Sequence, residues 1–345
     1  MIALDRGGMA GHLEGFPDQL REARGIGGGA VLTLPGQGAR AVVVTGMGGS
    51  AIGGEIAAAC LSGTMPVPCA VVRGYDVPAY VDRDTVVVAA SYSGSTEETL
   101  SAYRGAASRQ ARIVCITTGG ELARLARAAG HDVVEIPPGL PPRAALGYSL
   151  IPLLMVLARL GLAPDPASDV DDAIAAARRA VAAYGLGVPL GSNPAKQLAA
   201  WFRGGIPVIY GSVPLTTAVA TRWCGQISEN AKTVAHRNEL PEMDHNEIVG
   251  WSGARPLGGR ARVVFLRDAG DHPRVGKRVA ITRREIEAAG AEVKEAEGTG
   301  ASALGRALSL VALGDFTSFY LAVLAGVDPT PVEPIDRLKK ALADA

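Results

Sequence analysis

The chain has 345 residues, enough for two ordinary domains. Lysines and arginines number 34, matched by 34 aspartates and glutamates, so no net field draws nucleic acid or a membrane surface. Five phenylalanines and three tryptophans are too few for a base-stacking platform, whereas 48% hydrophobic residues and 44 glycines fit a tightly turned α/β protein.

The opening MIALDRGGMAGHLEG lacks the apolar run of a signal peptide. Cys60, Cys69, Cys115 and Cys224 form no C-x-x-C, and three of them sit in apolar runs, so reduced, buried thiols and a cytoplasmic location are expected. Short apolar runs at 41–45, 67–72, 85–90, 112–117 and 133–136 read as strands, with helices at 51–61, 97–109 and 121–129 between them. That alternation predicts a doubly wound parallel sheet of flavodoxin type, with its ligand at the carboxyl ends of the strands. A proline run at 137–142 closes the unit, and a helix follows at 148–161. The Pro/Asp-rich 163–172, a helix at 173–184 and a break at 185–189 suggest a division into 1–163, a connection over 164–189, and 190–345. In the second half, strands are expected at 206–210, 262–266 and 291–295, and helices at 216–232, 275–289, 302–325 and 335–342. The apolar 307–327 reads as a buried core helix rather than a membrane span. Two α/β halves of similar size suggest a duplicated unit.

The stretch TVVVAASYSGSTEETL at 85–100 carries the most chemistry. A strand buried on both faces runs into Ser91, Ser93, Gly94, Ser95 and Thr96, and then into Glu97 and Glu98, which suit the first turn of a helix. Hydroxyls and free N–H groups gathered at a helix N-terminus suit a phosphate. No G-x-x-x-x-G-K-[ST] accompanies them, which argues against nucleotide hydrolysis. A second loop, Gly46-Met47-Gly48-Gly49-Ser50-Ala51, follows the first strand. It satisfies the dinucleotide fingerprint, but Arg73-Gly74-Tyr75 stands where the ribose-binding acid belongs, which would leave only NADP. A Gly-rich and a Ser-rich loop on adjacent strands suit one compact phosphate better.

In the second half, Ser228-Glu229-Asn230-Ala231-Lys232 and the run from Glu239 to Glu247 gather carboxylates, amides and His245. A carboxylate and an imidazole are the usual pair for moving a proton to and from carbon or a ring oxygen. His236 and His245 lack a third ligand at metal-site spacing, so no metal is expected. Arg143 follows the last strand of the first sheet, on its ligand-binding edge, and Lys339 and Lys340 lie in the final helix.

Together GMGGSAIGGE at 46–55, SYSGSTEET at 91–99, PPRAALGYS at 141–149, ENAK at 229–232, NELPEMDHNEIVGW at 238–251 and the tail from 314 to 342 resemble the sugar isomerase (SIS) superfamily. Within it they resemble the bifunctional phosphoglucose/phosphomannose isomerases. The resemblance covers nearly the whole chain after residue 40, with Ser95 replacing the family's usual asparagine. It implies two SIS subdomains, each a parallel sheet flanked by helices, and a dimer that builds the site. It also implies interconversion of glucose 6-phosphate or mannose 6-phosphate with fructose 6-phosphate through a cis-enediolate, without cofactor. Gly48, Gly49, Ser50, Ser91, Ser93 and Thr96 would then hold the phosphate. Glu229 would be the base, His245 the ring-opening group entering from the partner subunit, Arg143 the enediolate's counter-charge, and Lys339 the C-terminal lysine. The competing readings are a sugar-phosphate sensor, another isomerase of the superfamily, and an NADP-dependent reductase. Glu229, His245 and the lack of a basic helix-turn-helix favour the enzyme.

Overall fold

The computed structural model describes residues 3–253 and 259–344. Two all-parallel sheets organise it. The first contains β1 (Ala41–Thr45), β2 (Cys69–Val72), β3 (Thr85–Ser91), β4 (Arg112–Thr117) and β5 (Asp132–Glu135), in the order β2-β1-β3-β4-β5. The second contains β6 (Ile206–Ser212), β7 (His236–Leu240), β8 (Ala261–Arg267) and β9 (Glu292–Glu297), in the order β7-β6-β8-β9. The second order repeats the first without its fifth strand. Both follow the flavodoxin-like winding, in which a ligand sits beyond the strands' carboxyl ends.

The valine-rich β1 and β3 are buried along their whole length, because each has a layer of helices on either face. Alternate residues serve different layers. Val43, Val87 and Ile113 face α4 (Glu97–Ser108) and α5 (Gly120–Ala128) through Ala102, Tyr103 and Leu122. Val42, Val44, Val86 and Val88 face the other way, into a core that also includes Ile209, Val264 and Leu266 of the second sheet. A shared helical layer therefore lies between the two sheets. It is built from α2 (Phe16–Gly29), α3 (Gly48–Leu61), α6 (Leu146–Arg159), α7 (Ala167–Tyr184), α8 (Pro194–Phe202), α9 (Leu215–Ala231) and, later in the chain, the long helix Ala303–Ala325. Beyond β7 come the short α10 (Glu247–Trp251), then α11 (Pro273–Ala288), which covers the outer face of the second sheet through Val275, Val279 and Ile286.

The helix Ala303–Ala325, here α12, is long and apolar enough to cross a membrane, yet nearly all of it is buried between its neighbours. Asp315 and Ser318 sit on it as buried polar groups and need partners there. The last helix, α13 (Glu333–Ala343), carries Ile335, Leu338 and Leu342 at i, i+3 and i+7, and all three are exposed.

Several elements differ from expectation. The short α1 (Met9–Glu14) and α2 form in a glycine-dense segment where no helix was expected. The first-turn N–H groups of α8 need an acceptor, and Asn193 Oδ1 supplies one to Lys196 N at 3.0 Å. Helix α3 begins three residues earlier than its apolar pattern, at Gly48, and α7 begins six residues earlier, at Ala167. Strand β7 escaped notice because HRNEL is polar and lies on a sheet edge. Of the four free thiols, Cys115 is buried, but Cys60, Cys69 and Cys224 are only half-buried. Burial pushes Cys69 up to about 11 and Cys115 up to about 12, so neither is a reactive thiolate.

Candidate active site

Two turns at the carboxyl ends of adjacent strands form the hydroxyl-rich region. After β1, Gly48 takes a left-handed conformation (φ +49°) and opens α3, placing Gly48, Gly49 and Ser50 in the first helical turn. A side chain at Gly49 would put its Cβ 2.8 Å from Pro142 O, so only glycine lets α3 approach the turn that carries Arg143. After β3, the Ser91 hydroxyl lies 2.9 Å from Thr96 Oγ1 and accepts from Gly94 N at 3.1 Å. Ser93 Oγ accepts from Ser95 N at 3.3 Å and stays exposed. Gly94 is left-handed (φ +68°), and a Cβ there would stand 1.9 Å from Gly119 O, which packs this loop on the next one. Neither α3 nor α4 has a side-chain cap on its N-terminus, so first-turn N–H groups remain for an anion.

Arg143 lies in the short 3-10 turn Pro142–Ala144 that follows β5, and it is buried. Its Nε donates to Asn230 Oδ1 at 2.6 Å, and its Nη2 donates to the carbonyls of Pro329 (2.7 Å) and Thr330 (2.8 Å). The remaining end, Nη1, lies 3.6 Å from Glu229 Oε2. Burial works to lower the Arg143 pKa and Glu229 opposes it, with burial the larger effect. A guanidinium starts so high that it remains charged.

Helix α9 explains why these groups meet. Arg222, Gln226 and Asn230 recur at i, i+4 and i+8, a single helix face, and all three are buried. That face meets Asp315 and Ser318 of α12. Arg222 pairs with both Asp315 oxygens (3.0 and 2.7 Å), Gln226 donates to the same carboxylate at 2.8 Å, and Asn230 donates to Ser318 Oγ at 2.9 Å. Arg222 also donates to the Arg143 carbonyl at 2.8 Å. Glu229, beside this stripe, has its side chain about one-third exposed and faces a groove of about 740 Å³. Ser228, Lys232 and Val234 line the groove with it, as do Asp328, Val332 and Ile335.

The structure thus brings Arg143 and Glu229 together, with Gly49 against the same turn. It does not bring His245 or Lys339 to them within one chain. His245 is exposed at the end of the 3-10 turn Glu242–His245 and is not among the residues lining the groove. Lys339 lies on the exposed α13, as does Lys340. His236 instead pairs with Glu247 at 3.0 Å, and Glu247 also accepts from Tyr210 and Asn238. The hydrogen bond to Glu247 raises the His236 pKa against the effect of burial. For Glu247, burial acts upward but is outweighed by hydrogen bonds from His236, Tyr210 and Asn238, so its pKa is lowered. Among the described residues, no group of three His, Cys, Asp or Glu side chains is placed to hold a metal ion. Arg222 and Gln226 of α9 and Asp315 of α12 were not singled out from the sequence as site residues, although the i, i+4, i+8 spacing of Arg222, Gln226 and Asn230 was visible there.

Comparison with known proteins places the chain in a family. Residues 37–156 match the SIS domain, and residues 191–342 match the bacterial phospho-glucose isomerase C-terminal SIS domain. The bifunctional phosphoglucose/phosphomannose isomerase of Caldicellulosiruptor bescii is 43% identical over 95% of this chain and 97% of that protein. The protein of the same name from Aquifex aeolicus is 39% identical over 88% of this chain and 90% of its own length. Among solved structures, the C-terminal domain of glucosamine-fructose-6-phosphate aminotransferase from Francisella tularensis superposes with a TM-score of 0.73. At 15% identity, covering 94% of this chain and 98% of that one, it shares the fold. On this identity and coverage, the chain belongs to the bifunctional phosphoglucose/phosphomannose isomerase family of the SIS superfamily.

Proposed function

We infer that this protein is an aldose–ketose isomerase that interconverts glucose 6-phosphate and mannose 6-phosphate with fructose 6-phosphate. The observation that carries the residue roles is the Arg143 guanidinium. Protein acceptors occupy its Nε and Nη2, and its Nη1 is turned to Glu229 at 3.6 Å. A buried cation beside a part-exposed carboxylate suits a reaction that removes a proton from carbon and develops charge on oxygen.

In this reading Glu229 takes the proton alpha to the carbonyl, giving a cis-enediolate, and the same carboxyl returns it to the neighbouring carbon. Arg143 offsets the enediolate charge, an effect worth about 3 kcal/mol for a well-placed donor. Gly48, Gly49, Ser50, Ser91, Ser93 and Thr96 hold the phosphate, whose binding energy orients the sugar at a distance from the chemistry. His245 opens the ring from a second copy of the chain in a homodimer, and Lys339 (or Lys340) approaches from α13. The exposed position of His245 and the exposed Val249, Leu338 and Leu342 support an arrangement in which these segments face another subunit. The division into 1–163 and 190–345 joined through 164–189, the metal-free mechanism and a cytoplasmic location belong to the same reading.

A coupled assay tests it. Fructose 6-phosphate is supplied alone, and glucose 6-phosphate and mannose 6-phosphate are read separately, with and without excess EDTA. Both products at an unchanged rate in EDTA are expected. No product would overturn the activity, and loss on chelation restored by zinc would overturn the metal-free mechanism.

A further inference from the structure

Lys232 immediately follows α9 in the left-handed conformation (φ +54°, ψ +35°), at a position where helices usually place glycine or asparagine. Gln110 is the other non-glycine residue with positive φ among those described. A side chain held there at a backbone cost invites a search for what it touches. Lys232 Nζ donates to Glu229 O at 2.6 Å and reaches Pro329 O at 3.2 Å. Pro329 O also accepts from Arg143 Nη2 at 2.7 Å. One carbonyl of the segment before α13 therefore joins the arginine to the lysine, and the lysine joins it to the backbone of Glu229. Lys232 lines the same groove as Glu229, together with Asp328 and Glu333.

We propose that Lys232 is a positioning residue for the isomerisation: its ammonium ties the end of α9 to the Pro329 carbonyl and so fixes Glu229 relative to Arg143. The proposal rests on the reading of Glu229 as base and Arg143 as counter-charge. The ordinary role of a lysine here would be to complement the helix dipole and nothing more. The geometry does more than that, since Pro329 lies on a separate segment 97 residues away in sequence. Burial, reinforced by Arg143, lowers the Lys232 pKa, while Asp328, Glu229 and Glu333 pull it back up.

Lys232→Gly separates the two roles, because glycine adopts the left-handed conformation freely while losing the ammonium. The expected result is a melting temperature equal to or above wild type and a kcat about tenfold lower, with KM within about threefold. Lys232→Met, which keeps the chain length, should lose kcat to a similar degree. In a Glu229→Gln background, Lys232→Gly should cost less than about twofold more, because a group acting through Glu229 has nothing left to position. A Lys232→Gly enzyme with wild-type kcat, or one that loses the full factor again in the Glu229→Gln background, would overturn the proposal. An active Glu229→Gln would overturn the base assignment and this role with it. A dead Glu229→Gln beside an unimpaired Lys232→Gly would remove only the role of Lys232.

Discussion

Arg143 and His245 are both carried on short 3-10 turns that follow a strand, yet they end in opposite surroundings. Arg143 is buried, and its Nε and Nη2 donate to acceptors 87 to 187 residues away in sequence. Around it the two units, the segment before α13 and the Arg222–Asp315 pair close on one another within one chain. His245 lies exposed beyond the edge strand β7, and Lys339 lies on a helix whose apolar side is open. The difference teaches that, of the proposed site residues, Arg143 and Glu229 are brought together by the fold of one chain, whereas His245 and Lys339 stand on outward-facing surface. Substitutions in the first pair should act through chemistry and stability within a chain. Those in the second should depend on what another copy supplies.

The largest effect is expected in the first pair. Glu229→Gln keeps size and hydrogen bonding but removes basicity, so kcat should fall by about two to four orders of magnitude with the fold retained. Steady-state kinetics on the purified variant check this; a near wild-type kcat would move the base elsewhere, with Glu242 or Glu247 next. Asp315→Asn leaves the Arg222 guanidinium buried without its counter-charge. A loss of about 3–5 kcal/mol in urea unfolding is expected, and a loss under about 1 kcal/mol would mean that Arg222 finds other partners. At the hydroxyl-rich loop after β3, Ser93→Ala should raise KM several-fold if Ser93 holds the phosphate, in line with about 1 kcal/mol for one hydrogen bond, with kcat little changed. Unchanged KM would place the phosphate elsewhere.

The smallest effect sharpens the comparison from the outward side. The folded-state pKa of His236 is raised above 6.5, so its stabilisation is fully present below that value and is lost as pH rises through the raised pKa. The Glu247 pKa is depressed below 4.5, so its stabilisation is present above that value and is lost as pH falls through the depressed pKa. The pair is therefore strongest between the two. In urea unfolding, His236→Gln should lower the stability most near about pH 5–6, by less than about 1 kcal/mol because the imidazole is half exposed, and the gap should close at alkaline pH. A pH-independent gap would mean that His236 does not titrate against Glu247.

The fold was legible where burial on both faces forces apolar runs, as in VVV of β1 and β3. It was not legible at β7, where an edge strand tolerates HRNEL, nor at α2, where the glycines of GIGGG hide a helix held by packing on α6 and α7. At the site, Arg143 stood out by its place between prolines and an apolar helix, whereas Glu229 was one of several carboxylates until the family resemblance singled it out. What sets Arg143 in place could not be read there. Arg222 and Asp315 are separated by 93 residues, and a charged residue in an apolar helix reads equally well as a solvated face until its partner is known. Lys232 was visible in ENAK, but its meaning depends on a left-handed backbone and on Pro329.

The most direct test of a site divided between two chains mixes two inactive proteins. Glu229→Gln and His245→Ala are each expected to be nearly inactive alone. Co-refolded in equal amounts, about half of the dimers should be hybrids, each with one intact site and one doubly defective, so activity should return to about a quarter of wild type. If both residues serve the site of their own chain, no hybrid contains an intact site and the mixture stays as inactive as its parents, which would contradict the account.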